Sequence, residues 1–201
     1  MSSLVAGIPG WFVTSIIIFV SILGLTIILE RGYTLMRRYK LLETDEQNQL
    51  LGFLQNRKYE DALSFCRLRN HPAFRVTENI ILAKGSEVDL RNIADEAILR
   101  QVTLLEKFLP TLGTISTVAP LLGLLGTVTG MIKSFRAFEQ TASRSSNLMT
   151  GIDEALITTA LGLIVAIPAM ITYNYYIRRV NALTDETNLI TEMVLDEIGK
   201  K

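Results

Sequence analysis

The stretches Ala119–Phe135 (APLLGLLGTVTGMIKSF) and Gly151–Asn174 (GIDEALITTALGLIVAIPAMITYN) decide the fold of this chain. Both are apolar runs long enough to cross a bilayer, and both contain glycine, proline and threonine. In hydrocarbon every added hydroxyl or interrupted backbone hydrogen bond needs a partner, so such residues usually face other helices or a hydrated cavity. The two stretches therefore predict membrane helices that do more than anchor the protein.

A third apolar block, Trp11–Leu29, carries no charge and has about the length that spans roughly 30 Å of hydrocarbon. Hydrophobic residues make up 49% of the chain and are concentrated in these blocks, unlike the periodic core of a soluble domain. No Lys or Arg precedes Trp11 and no cleavage-like motif precedes Glu30, which makes a secretory signal the weaker interpretation. We predict an all-α polytopic membrane protein with three transmembrane helices, the second and third extended into a helical cytoplasmic domain.

Basic residues indicate the orientation of the chain. They cluster after the first span, at 31–40, and after the third, at Arg178 and Arg179, which places these ends in the cytoplasm and the N-terminus on the opposite side of the membrane. The net charge of +0 argues against a nucleic-acid partner. The predicted segments are a periplasmic N-terminus 1–10, transmembrane helix 1 at 11–30, a helical cytoplasmic domain 31–107, transmembrane helix 2 at 108–135, a short periplasmic loop 136–151, transmembrane helix 3 at 152–177 and a cytoplasmic helical tail 178–201.

The predicted cytoplasmic segments carry apolar stripes at helical spacing. A break at Asn70–His71–Pro72 separates two such helices, and Pro72 suits a first helical turn while Gly85 suits a C-terminal cap. We expect His71 to be a loop residue, and the helix that starts after Asp89 to run without interruption into the second span. The tail stripe consists of Val180, Leu183, Thr187, Ile190, Val194 and Ile198.

The third predicted span has one small and one bulky face. Close helix packing explains the small face, because small residues at every third or fourth position let backbones approach. The alternative makes Thr159 a hydroxyl in the wall of a mostly dry channel. The small face comprises Ala155, Thr159, Gly162, Ala166 and Ala169, and Leu156, Leu161, Ile164 and Ile171 lie opposite.

The second predicted span has two adjoining faces. One carries Thr127 and Pro120, whose missing N–H should kink or loosen the helix. A helical threonine can simply bond its own carbonyl one turn back, so the hypothesis of a proton pathway rests on Thr127 and Thr159 together. The neighbouring contact surface is made of Gly123, Gly126 and Gly130.

Glu154 opens the predicted third span, directly after Asp153. It is either an interfacial cap favoured by the helix dipole, worth about 0.3 to 1 kcal/mol, or part of an acidic ring where several identical subunits form a pore mouth. No Asp, Glu, Lys, Arg or His lies deep within a predicted span, so the chain alone lacks the titratable group of a proton relay. The spans contain no zinc-protease motif and no Ser/His or paired-aspartate constellation, and we expect neither enzymatic activity, metal nor cofactor.

At these residues the chain resembles the MotA/TolQ/ExbB proton-channel family, most closely its three-span ExbB/TolQ branch. The resemblance is strongest in the two stretches quoted first and weaker at Glu30-Arg31 and at 59–63 (YEDAL), and it covers nearly the whole chain. The chain departs from some members in its short N-terminus. It departs from the MotA branch in having no fourth span, so a flagellar stator is not expected.

The resemblance implies a subunit of the bacterial inner membrane that assembles as a homopentamer around a dimer of an ExbD/TolR-like single-span protein. That partner carries the transmembrane Asp, and proton flow would drive a TonB-like or TolA-like energy transducer. On the family pattern, Thr127 and Thr159 match pore threonines and Glu154 matches an acidic position. The partner system (TonB-type uptake, Tol-type envelope maintenance or gliding) and the ion, H⁺ or Na⁺, stay open, and a non-conducting membrane scaffold is the competing hypothesis.

Overall fold

The computed structural model of the chain describes residues 10–39, 42–85, 89–140 and 145–200. These residues are helical almost throughout and contain no strand, which confirms the all-α prediction. The elements are α1 (Gly10–Tyr33), a π-helical turn (Thr34–Arg38), α2 (Thr44–Gln55), α3 (Tyr59–Arg67), α4 (Pro72–Ala83), α5 (Leu90–Glu106), α6 (Leu109–Gln140) and α7 (Ser145–Gly199).

Among the residues that the structure describes, three helical stretches are long and apolar enough to cross a membrane, in agreement with the three predicted spans. They are Phe12–Met36, Leu90–Phe135 and Ala155–Gly199. The chain divides into two compact units, which are described separately. Residues 1–30 and 108–174 form the apolar unit, and residues 31–107 and 175–201 form the charged unit.

Within the apolar unit, helix α7 turns large aliphatic side chains outward and packs small ones inside. On α7, Ala155, Ala166 and Ala169 are almost fully buried, whereas Ile164 and Ile171 are 66% and 65% exposed. A surface this apolar suits contact with lipid or with other membrane helices rather than with water. The predicted division of the third span into a small face and a bulky face is confirmed.

The charged unit has a conventional hydrophobic core. Helices α2 to α5 converge on the C-terminal part of α7, and the ring of Phe65 contacts Phe53 in a tilted arrangement and Phe74 edge to face. The predicted tail stripe supplies the α7 side of this core, since Ile190 and Val194 are buried in it. The stripes read from the sequence therefore pack against one another within a single chain.

Arg31 is buried in the charged unit although it carries a charge. Its guanidinium donates to the carbonyls of Leu104 and Leu105, at 3.4 and 3.5 Å. These carbonyls belong to the last turn of α5, where a helix has no internal N–H donors left. A cation at this end also suits the negative end of the helix dipole. Arg31 therefore caps α5.

Local signals place α4 as predicted. Pro72 occupies its first turn, where a missing N–H costs nothing, and Gly85 follows its end with a φ of +99°. His71 is outside the helix, as expected, but it is also the N-cap and is only 4% exposed. Its Nδ1 accepts from the Ala73 N–H at 3.2 Å, so the ring proton lies on Nε2.

The Nε2 of His71 faces the carboxylate of Glu186 on α7 at 3.2 Å. The same carboxylate accepts from the backbone N–H of Leu42 at 3.0 Å and from the amide of Gln47 at 3.5 Å. Burial lowers the pKa of His71 to about 4, and burial raises the pKa of Glu186. This polar cluster ties α7 to α4, α2 and the segment before α2, and nothing in the sequence pattern indicated it.

Two boundaries differ from the predictions. The helix expected to run from residue 89 into the second span is interrupted at Lys107 and Phe108, and Phe108 has a φ of +64°. A helix continued through this point would need an N–H that Pro110 lacks, whereas a new start at Leu109 puts Pro110 in a first turn. Residues 136–140 and 145–151, predicted as parts of a loop, are helical, because α6 reaches Gln140 and α7 begins at Ser145.

Candidate functional site between α6 and α7

Helices α6 and α7 touch at backbone level where two glycines face each other. A Cβ atom on Gly162 would lie 2.6 Å from the carbonyl oxygen of Ala119, and one on Gly123 would lie 2.9 Å from the Cα of Thr159. No side chain fits between backbones this close, so only glycine is tolerated at both positions. The small-residue pattern thus marks a real contact between the two helices.

Thr159 uses this proximity to bond across the interface. Its hydroxyl donates to the carbonyl oxygen of Gly123 at 2.9 Å. In an α-helix the N–H of residue 127 donates to the same carbonyl. One peptide group therefore connects the two threonines that the sequence analysis paired.

The hydroxyl of Thr127 itself donates to the carbonyl of Leu124, one turn back on α6, at 2.7 Å. The side chain is half-buried, beside the exposed Leu124. With both hydroxyl protons engaged, Thr127 and Thr159 offer oxygen lone pairs, which accept hydrogen bonds from water or from a protonated acid.

Three other predicted site residues lie on α6, on the same helix as Gly123. Gly126 faces Thr158, because a Cβ atom on this glycine would collide with the threonine side chain. Pro120 and Gly130 are half-buried on α6, and the missing N–H of Pro120 leaves the Ser116 carbonyl without its helical donor.

Thr158 is a site residue that the sequence analysis missed. It is 3% exposed, and its hydroxyl donates to the carbonyl of Ala155 at 2.7 Å. Thr158 directly precedes Thr159 on α7. A helical wheel centred on the small face therefore places Thr158 beside that face rather than on it. The adjacent threonines at 158 and 159 were the available signal, since neighbouring residues of a helix point in different directions and both can contact the facing helix.

Glu154 does not lie in the first turn of α7, where a helix cap would act. Helix α7 begins at Ser145, so nine residues of helix precede Glu154, and the dipole acts only within the first turn. The side chain of Glu154 lies outside the described part of the structure. Its role in an acidic ring stays a prediction.

Comparisons with known proteins identify the family of this chain. Residues 68–188 match the MotA/TolQ/ExbB proton channel family. The biopolymer transport protein ExbB-like 3 of Synechocystis sp. is 29% identical over 85% of this chain and 84% of its own length. The Tol-Pal system protein TolQ of Haemophilus influenzae is 32% identical over 93% and 88%. The biopolymer transport protein ExbB of Pseudomonas putida is 31% identical over 80% and 51%.

The fold and the α6–α7 contact define a polytopic helical membrane protein with a tightly packed, hydroxyl-bearing helix pair. With these similarities, the chain belongs to the MotA/TolQ/ExbB proton channel family. It is a multi-pass inner-membrane protein of that family, and the predicted family membership is confirmed.

Proposed function

We propose that this chain is the channel-forming stator subunit of an ExbB/TolQ-like motor that converts the proton motive force into mechanical work. The observation that carries the proposal is the chemistry of the membrane helices. Residues 12–29, 109–132 and 155–172 contain no titratable side chain, yet the α6–α7 pair presents the hydroxyls of Thr127 and Thr159. Such a surface suits a pathway whose acid comes from another polypeptide.

In this proposal five copies of the chain surround two copies of an ExbD/TolR-like single-span protein with a transmembrane Asp. The threonine oxygens accept hydrogen bonds from water or from that Asp when it is protonated, and a neutral wall does not trap the charge. Moving one charge through 100 mV yields about 2.3 kcal/mol, which biases a conformational step by well over tenfold. The motion passes to a TonB-like or TolA-like transducer, with the N-terminus of this chain in the periplasm and its C-terminus in the cytoplasm.

The test of the pathway is the substitution Thr127→Val, which keeps the shape of the side chain and removes its oxygen. We expect assembly with the partner to survive and gradient-dependent work to be lost, whereas Thr127→Ser should retain it. Thr172→Val is the matched control, because the Thr172 hydroxyl also bonds its own helix, at the carbonyl of Pro168. Full function in the Thr127→Val, Thr159→Val double variant would remove both residues from the mechanism.

The test of the assembly is native mass spectrometry in mild detergent. We expect five copies of this chain with two copies of the partner. Dimers or trimers as the sole species would contradict the pore.

A non-conducting scaffold is the second candidate, favoured by the backbone contact between Gly123 and Gly162. In a scaffold, Gly126→Leu should disrupt the complex while Thr127→Val stays silent. The two functions therefore predict opposite results for the same valine substitution.

A further inference from the structure

A cleft lies between α1 and α7 inside the apolar unit, away from the α6–α7 contact. It is partly open, has a volume of about 150 Å³ and runs along 21–28 of α1 and 164–169 of α7. Most of its lining is aliphatic, but one hydroxyl in its walls has no side-chain hydrogen bond and one carbonyl has lost its usual helical donor, although polar groups in hydrocarbon require partners.

The first of these groups is the hydroxyl of Ser21. Helical serines and threonines in an apolar setting usually bond a carbonyl one turn back, as Thr26 does with Ile22 and Thr172 with Pro168. Within residues 10–39, 42–85, 89–140 and 145–200, Ser21 has no side-chain hydrogen bond. Its hydroxyl is left with a donor and lone pairs to satisfy.

The second group is the carbonyl of Ile164. Its helical donor would be the N–H of residue 168, but that residue is Pro168, inside α7. No side chain in the described parts of the chain donates to this carbonyl. Ile164, Pro168 and Ser21 all line the same cleft.

We propose that this cleft is an intramembrane hydration site, in which ordered water bridges the Ser21 hydroxyl and the Ile164 carbonyl. Water matches both groups, because it donates to the carbonyl and can either donate to or accept from the hydroxyl, whereas a lipid acyl chain can do neither. The volume holds several waters, and buried waters typically make about three hydrogen bonds. The site is independent of the proposed proton pathway, because none of its residues belongs to the α6–α7 contact.

The test is hydroxyl-radical labelling by X-ray radiolysis of the assembled protein in lipid nanodiscs, read residue by residue by mass spectrometry. Radicals form from water, so a side chain beside bound water is labelled and one in lipid is not. Ile28 and Val165, which line the cleft, are the reporters. Leu29 and Ile171, each 65% exposed on the apolar surface, are the controls. Because ordered water is confined to polar sites, we expect labelling about fivefold faster at the reporters than at the controls.

Two substitutions remove one water partner each. Ser21→Ala deletes the hydroxyl, and Pro168→Ala restores the N–H that bonds Ile164, so each should lower the reporter rates by about half or more. Ser21→Ala is small enough to keep the fold if Pro168→Ala does not. Equal rates at reporters and controls, or rates at Ile28 and Val165 that Ser21→Ala leaves unchanged, would overturn the proposal.

Discussion

The hydroxyl of Thr159 on α7 donates to the backbone carbonyl of Gly123 on α6, at 2.9 Å. Thr159 is therefore both a candidate pore residue and a hydrogen-bonded link between two membrane helices. Thr127 differs, because its hydroxyl bonds Leu124 on its own helix. Loss of function at these two positions would therefore have different causes. Stability measurements can separate them.

Thr159→Val should destabilise the α6–α7 pair, because it leaves the carbonyl of Gly123 without its second donor. Interhelical hydrogen bonds in membranes average about 0.6 kcal/mol, so the expected loss is of that order. Thr159→Ser should restore it, and Thr127→Val should cost less than Thr159→Val. Unfolding in increasing denaturing detergent measures the difference. Equal stability of wild type and Thr159→Val would show that the bond contributes nothing.

Gly162→Ala should be among the most damaging single-methyl changes in the chain. The added Cβ would lie 2.6 Å from the carbonyl oxygen of Ala119, a backbone atom that cannot rotate away. Forcing extra atoms into a packed contact typically costs about 1 to 3 kcal/mol. Gly52→Ala is the control, because nothing lies within 4 Å of its Cβ position, and helix propensity should make it stabilising by about 0.5 to 1 kcal/mol. A Gly162→Ala complex as heat-stable as wild type would refute the contact.

Phe108→Gly should relieve backbone strain at the break between α5 and α6. The φ of +64° places a bulky residue in the left-handed region, which costs roughly 1 to 2 kcal/mol for a residue with a Cβ. Phe108 is 44% exposed, so its removal gives up less packing than the loss of a fully buried ring. We expect an unchanged or higher melting temperature for Phe108→Gly and a lower one for the β-branched Phe108→Val. The reverse order would mean that the aromatic ring matters more than the backbone.

His71 should make the charged unit less stable in mild acid. Its folded pKa of about 4 lies below the ordinary 6.5, so between these values the unfolded chain binds more protons. The burial of neutral His71 contributes to the free energy of unfolding in full above pH 6.5, and this contribution is lost as the pH falls towards 4. The nearby Glu46 opposes this shift and Arg179 reinforces it. Glu186 contributes with the opposite sign, because its raised pKa means that acid relieves the cost of burying its charge.

His71→Asn isolates the histidine contribution, since Asn is a good N-cap that does not titrate. The variant's melting temperature should fall less than that of wild type across the window from 6.5 to about 4. Melting curves followed by circular dichroism across that window provide the comparison. Parallel pH profiles would show that His71 has the same pKa in the folded and the unfolded chain.

Local sequence patterns predicted many of the helix ends and apolar faces, because these features depend on residues that are close together in the sequence. The tail stripe reached the core through Ile190 and Val194, and Pro72 and Gly85 marked the ends of α4. The small face of α7 was predicted by its spacing alone, because a helix places every third or fourth residue on one side.

The missed features depend on partners distant in the sequence or on competing signals. The Ser, Thr and Asn residues near Ser145 are typical of a loop, yet α7 begins there. Pro110 indicated the break before α6, but the strong helical period of the apolar residues around it favoured one continuous helix. His71 and Glu186 are 115 positions apart, and no local pattern pairs them. Helical spacing predicted which face of α7 carries Thr159, but it could not show that the Thr159 hydroxyl bonds Gly123.

The bond between the Leu42 N–H and Glu186 joins positions 144 residues apart and has a consequence for biosynthesis. The charged unit is assembled from the segment before α6 and the end of α7, so a ribosome must finish nearly the whole chain before Ile190 and Val194 can fill the core. Until then the nascent helices α2 to α5 display unfilled apolar surface to chaperones and proteases. A premature stop after the last span would leave that surface permanently uncovered, and such a product should be cleared by proteolysis even though all its membrane helices are intact.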